Sequence, residues 1–260
     1  SLMDAIECWI VKLPRVSVSD NIPDGEMPKY RNLSEHIGKK MPKKGRSKSG
    51  VSYDPLSLPL ELQTALGALY GHYEKVYTQW RAAGITVPPV FIVVANNTSS
   101  SKLIYDYISG FRRESADGPG TFHAGRLPLF QNHDDRGVSL DRPRTLLIDS
   151  NQLESGEGLD GAFRVAAATE IEQFKREIRE RTGDREAAEK LSDEELLREV
   201  MNTVGKPGRL GEQIRCVVSV SMLTEGWDAN TVTHILGVRA FGTQLLCEQV
   251  VGRALRRQAY

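Results

Sequence analysis

Two arginines three residues apart, Arg253 and Arg256, close the string Gln249-Val250-Val251-Gly252-Arg253-Ala254-Leu255-Arg256-Arg257. On a helix that spacing puts both on one face. Each guanidinium offers a planar fork of donors and a fixed positive charge, so the pair is suited to gripping a polyphosphate. A polyphosphate site commonly has a second component, a Gly-rich loop ending in Lys-Ser/Thr. No G-x-x-x-x-G-K-[ST] string and no D-E-x-H string occurs in the 260 residues. Gly205-Lys206-Pro207-Gly208 does not fit, because proline would deny such a loop an N–H.

Other residues could also do chemistry. Met222-Leu223-Thr224-Glu225-Gly226-Trp227-Asp228 carries two carboxylates around Gly226, where the backbone can pass close to a ligand. Glu225 and Asp228 as an acid and a base is the weakest reading of that string. Trp227 reads as packing rather than base stacking. Asn96-Asn97-Thr98-Ser99-Ser100-Ser101 offers hydroxyls and N-cap candidates where a helix begins, a setting that suits an anionic phosphate. Plain helix capping explains the same residues equally well. Lys39, Lys40, Lys43, Lys44, Arg46 and Lys48 mix with Gly and Ser as a flexible basic loop, solvated charge unless it meets a phosphate backbone.

His123 and His133 have no partner at metal-ligand spacing and read as loop histidines, so no metal site is expected. Cys8, Cys216 and Cys247 form no C-x-x-C pair. Cys216 and Cys247 read as small buried apolar residues, and reduced thiols suit a cytoplasmic protein. Glu194-Glu195 reads as negative charge at a helix start rather than as catalytic carboxylates. Lys+Arg and Asp+Glu balance at 34 each, so net charge argues neither for nor against nucleic acid. A 40 % hydrophobic, 26 % charged composition is ordinary for a globular protein. No apolar run approaches the roughly 18 residues of a membrane span, and no signal peptide opens the chain. The chain starts inside an apolar stretch and stops just past the arginines, which reads as a piece of a longer protein.

The elements that must position these residues follow from periodicity. Residues 3–19 read as extended, and residues 1–50 as an N-terminal segment ending in the basic loop. From Pro59 to Ala83, Leu62, Leu66, Leu69, Tyr73, Val76, Tyr77 and Trp80 recur at three and four, which predicts a long amphipathic helix stopped by Gly84. Four short β-branched runs predict buried strands: Val90 to Ala95, Thr145 to Asp149, Arg215 to Val220 and Val232 to Val238. Helices are predicted after the Asn96–Ser101 loop, over Phe163–Arg181, from the capping box at Ser192 through Met201, and over Thr243–Arg257. Residues 112–143 read as turn-rich. Strands alternating with helices predict an α/β fold, a parallel sheet covered on both faces. Ligands then bind at the carboxyl ends of the strands, where the Asn96 loop, the Leu223–Asp228 loop and the last helix would gather.

The L-x-E-G-x-D string followed about twenty residues later by Q-x-x-G-R-x-x-R resembles motifs V and VI of superfamily 2 helicases and translocases. The wider wording, from Glu225-Gly226-Trp227-Asp228 through Ile235-Leu236-Gly237-Val238-Arg239 to Gly252-Arg253, resembles the motor subunit of type III restriction enzymes. Pro89 to Thr98 resembles the motif IV region of the same group. The resemblance covers most of the chain from about residue 50 and, more loosely, residues 4–35.

The resemblance implies a second RecA-like helicase lobe over residues 51–260, with residues 112–212 as a partly helical insertion. It implies Arg256 as arginine finger and Arg253 as its partner, the catalytic pair. It assigns Gly226, Asp228 and Gln249 to ATP and Asn97, Thr98 and Thr224 to the nucleic-acid backbone. ATP and Mg²⁺ would be held mainly by a first lobe absent from these residues. The implied partners are duplex DNA, that first lobe and a methylating modification subunit, with a linked endonuclease. A non-catalytic nucleic-acid-binding module and the lobe of an RNA helicase are the rival readings.

Overall fold

The computed structural model describes residues 33–41, 54–115, 118–148, 161–183, 186, 189–220 and 230–238. The expected strand and helix over residues 3–19 and 243–257, and most of the basic loop, lie outside the described residues.

Val90–Val94 (β1) is the centre of the fold, and all five side chains are buried. A strand can be apolar at every position only if both its faces are covered. Here Val90, Ile92 and Val94 enter one core, while Phe91, Val93 and Ala95 enter another. Each such side chain contributes about 1.5–3 kcal/mol of gross burial energy, which chain entropy largely offsets. Thr145–Ile148 (β4), Cys216–Ser219 (β5) and Val232–Gly237 (β6) join β1 in one parallel sheet of order β4-β5-β1-β6. The fold is the expected α/β arrangement with helices on both faces, consistent with a RecA-like lobe.

One face is covered by Leu33–Ile37 (α1), Leu60–Ala82 (α2) and Thr98–Ser109 (α3). α2 runs as its periodicity predicts, and Gly84 follows it at φ 75°, a left-handed conformation that ends helices cheaply in glycine. Its burial is concentrated at Leu62, Ala65, Leu66, Tyr70 and Tyr73, whereas Val76, Tyr77 and Trp80 are only half-buried. The other face is covered by Gly161–Ala166 (α4), Ala168–Thr182 (α5) and Asp193–Asn202 (α6). The capping box at the start of α6 is present in full: the Ser192 hydroxyl accepts from the Glu195 N–H, and the Glu195 carboxylate accepts from the Ser192 N–H.

Two elements differ from expectation. The turn-rich stretch contains an antiparallel hairpin, Gly110–Ser115 (β2) with Gly118–Ala124 (β3), which pairs only with itself. The single helix expected over Phe163–Arg181 is interrupted at Ala167, whose backbone sits at φ −104°, ψ 16°. Arg142, distant in sequence, donates to the Ala166 carbonyl at 2.8 Å and to Glu170 at 2.6 Å, drawing that carbonyl away from the helical ladder. Within residues 112–212, then, β4 joins the main sheet, and α4 to α6 cover one of its faces.

Candidate functional site

The four parallel strands end level. Ile148 pairs with Ser219, Ser219 with Val94, and Val94 with Gly237. Just past that row, the Ala95 N–H donates to the Ser219 carbonyl at 2.7 Å, and the Val238 N–H donates to the Val94 carbonyl at 2.8 Å. Everything that leaves β1, β5 and β6 therefore starts from one edge. From β1 the chain enters the Asn96–Thr98 loop. From β5 it continues past Val220 towards Thr224, Gly226 and Asp228, and from β6 past Val238 towards Gln249, Arg253 and Arg256. Those six residues lie outside the described residues.

Asn97 and Thr98 are described, and they have distinct positions. Asn97 is the N-cap of α3, extended at φ −160°, with its side-chain oxygen accepting from the Ser100 N–H at 2.9 Å. Its carbonyl accepts from the Ser101 N–H at 2.9 Å. The side chain is buried, and its carboxamide oxygen is committed to the cap. The groups suited to an anion at this start of α3 are backbone N–H groups and the hydroxyls of half-buried Thr98 and exposed Ser99. The amino terminus of a helix at this edge carries partial positive charge, which favours an anion. Behind it, Ser100 and Ser101 are buried, and the Ser101 hydroxyl donates to the Thr98 carbonyl at 2.8 Å, fixing the first turn.

The opposite, amino edge of the sheet holds the Gly205-Lys206-Pro207 loop. With Gly84, Val87 and Asn230 it lines a cavity of about 480 Å³. Val87 precedes β1 and Asn230 precedes β6, so this cavity lies at the far end of the strands from Asn97.

His123 and His133 are half-buried beside rings: His123 stacks on Phe111 at 5.0 Å, and His133 lies 5.1 Å from Phe122. Among the described residues no three His, Cys, Asp or Glu side chains gather as a metal site would require. Cys216 is fully buried, and burial pushes its thiol pKa up, as suits an inert packing residue.

One titratable pair escaped sequence reasoning. His234 on β6 meets His72 on α2, Nε2 to Nδ1 at 2.7 Å, and its other ring nitrogen lies 2.8 Å from the Thr233 hydroxyl. His234 is buried and stacks parallel on Phe91 at 5.7 Å. Burial first, and then His72, push its pKa down to about 4. The strand's alternation signals that position 234 faces inward, but nothing local identifies His72 as its partner.

Among the described residues no helix is long and apolar enough to cross a membrane. Compared with family models, curated proteins and solved structures, the chain finds no match in any of the three.

Proposed function

We propose that this chain is the second motor lobe of an ATP-dependent DNA translocase of the type III restriction kind, acting in the cytoplasm. The level carboxyl edge of the sheet carries this reading. It sends the Asn97–Thr98 loop and the segments bearing Thr224, Asp228 and the two arginines off from one side. In open parallel sheets that is the side where ligands bind. The motif strings supply the chemistry for it.

On this reading Arg253 and Arg256 neutralise charge on the γ-phosphoryl oxygens of an ATP held mainly by a first lobe. Phosphoryl transfer is catalysed mostly by positioning and charge neutralisation, so an inserted arginine is worth about 10³–10⁵ in rate. Asp228 accepts from the ribose hydroxyls, Gly226 permits the close backbone approach, and Gln249 orients the phosphate side. Asn97, Thr98 and Thr224 hold the nucleic-acid backbone without reading its sequence, as phosphate contacts do. Mg²⁺ and the phosphate loop belong to the first lobe, which closes onto this one during turnover. The methylating subunit and the endonuclease belong to the same proposed assembly.

The test pairs this chain with its native first lobe and measures ATP hydrolysis with duplex DNA, single-stranded DNA and RNA. Duplex DNA is expected to stimulate most, and Arg256→Ala to lower the stimulated rate by about 10³-fold or more. The chain alone is expected to show essentially no turnover. Unchanged hydrolysis in Arg256→Ala would favour a non-catalytic binding module, and preferential stimulation by RNA would favour an RNA helicase.

A further inference from the structure

Two arginines stand together at the amino edge of the sheet, away from the Asn97 loop. Arg144 immediately precedes β4 and Arg215 immediately precedes β5. The pairing of Thr145 with Cys216 sets them side by side, and the Arg215 N–H donates to the Arg144 carbonyl at 2.8 Å. Both side chains are half-buried.

Among the described residues their surroundings hold no paired counter-charge. Among the described residues no carboxylate lies within ion-pair distance of either guanidinium. Glu74, exposed on α2, acts on the Tyr70 phenol, as Arg215 does. The contrast with Arg142, two residues away, is sharp: that side chain is neutralised by Glu170 at 2.6 Å. The groups that act on Arg144 are Arg215 and the Tyr77 phenol, and burial together with Arg215 lowers its pKa.

Arg215 is already held in place. Its guanidinium carbon lies 5.0 Å from the Tyr77 ring centroid, and one terminal nitrogen donates to the Leu129 carbonyl at 3.1 Å. Its Nε is buried and has no hydrogen-bond partner among the described residues. The Arg144 fork makes no side-chain hydrogen bond among the described residues. A fixed fork and an unpaired one, with two positive charges partly withdrawn from water, form a preorganised anion receptor.

We propose that Arg144 and Arg215 form an oxyanion site at the amino edge of the sheet, matched in charge to a phosphate dianion. A singly charged carboxylate would leave one of the two positive charges uncompensated. The Tyr77 ring already carries Arg215, so the site grips a phosphate group rather than stacking a base. It is independent of the proposed ATP site, which is built from other residues on other segments.

Titrating the full chain with inorganic phosphate at constant ionic strength, followed by calorimetry, tests this. Saturable one-site binding is expected, weakened about tenfold or more in Arg144→Gln, because a charge-assisted fork is lost. Arg144→Lys, which keeps the charge without the fork, is expected to fall between. Should Arg144→Gln fail to fold, Arg144→Lys decides alone. A double Arg253→Ala, Arg256→Ala variant removes the other proposed phosphate-gripping pair, and the Arg144-dependent binding is expected to persist in it. Absence of saturable binding, unchanged affinity in the Arg144 variants, loss confined to the Arg253/Arg256 variant, or acetate binding as tightly as phosphate would each overturn the proposal.

Discussion

The two faces of the sheet are built differently. The face under α4, α5 and α6 is almost wholly aliphatic, with Val90, Ile92, Val94, Leu146, Ile148 and Val217 meeting Leu196, Leu197 and Val200, and with Phe163 as its buried aromatic residue. The face under α2 and α3 is aromatic and threaded with polar atoms. Tyr73, Phe91 and Phe130 meet edge-on at 4.6 to 6.3 Å, and the Tyr73 hydroxyl donates to the Pro89 carbonyl at 2.8 Å. Aliphatic packing rewards volume and tolerates rearrangement, whereas rings and buried hydrogen bonds demand particular geometry. The aromatic face is therefore the one that fixes how the strands are held, and it holds the buried His234.

The largest expected effect is steric. Phe91→Ala empties the middle of the aromatic cluster and should cost about 3–5 kcal/mol, while Ile92→Val on the opposite face should cost about 1 kcal/mol. Denaturant melts of the two variants measure the difference. Equal losses after matching the volume removed would erase the distinction between the faces.

A smaller loss is expected from the polar thread. Asn132 is buried, with its amide donating to the Tyr105 hydroxyl at 2.9 Å and the Thr145 carbonyl at 2.8 Å. Its oxygen accepts from the Arg144 and Thr145 N–H groups at 2.8 and 2.9 Å. All four of its hydrogen-bonding sites are used. Asn132→Leu keeps the size but strands two backbone donors, at a cost of about 3 kcal/mol. A melt within experimental error of wild type would mean that β4 does not depend on this clamp.

The smallest effect at neutral pH is the one that grows with acid. His234 has a folded pKa of about 4 against an ordinary 6.5, so the unfolded chain binds the proton more readily. The groups facing it are His72 from α2, Thr233 from its own strand, and the Tyr73 and Phe91 rings. Its contribution is fully present above pH 6.5, declines as pH falls towards 4, and amounts to a loss on the order of 3 kcal/mol below that. His234→Gln should flatten the acid limb of the stability profile by that amount, read from urea midpoints between pH 7 and pH 4. An acid limb as steep in the variant as in wild type would assign the pH dependence to other groups.

Local signals made much of the fold legible. Four buried strands, α2 with its Gly84 stop, a capped helix start in the Asn96–Ser101 loop and the Ser192 capping box could each be read from a few adjacent residues, because short-range sterics and backbone hydrogen bonding decide them. The β2–β3 hairpin could not. Gly118, Pro119 and Gly120 signal turns, and strands that pair only with each other carry no buried alternating pattern. The break at Ala167 was hidden for another reason: its cause, Arg142, lies in a different element. Of the candidate site, the carboxyl edge that Asn97 and Thr98 occupy was readable, but the commitment of the Asn97 oxygen to its own helix was not.

The sequence alone determined which segments must be buried on both faces, and hence an α/β fold of parallel strands covered by helices. Only the tertiary structure decided the order β4-β5-β1-β6, and with it every pairing that depends on strand neighbours. His72 and His234 are 162 residues apart in the chain and 2.7 Å apart in space. Arg144 and Arg215 become neighbours solely because β4 lies against β5. The physical reason is the same in both cases. Periodicity encodes which face a side chain takes, because that follows from backbone geometry. Which strand lies next to which follows from how two whole cores are filled, and no local window contains that information.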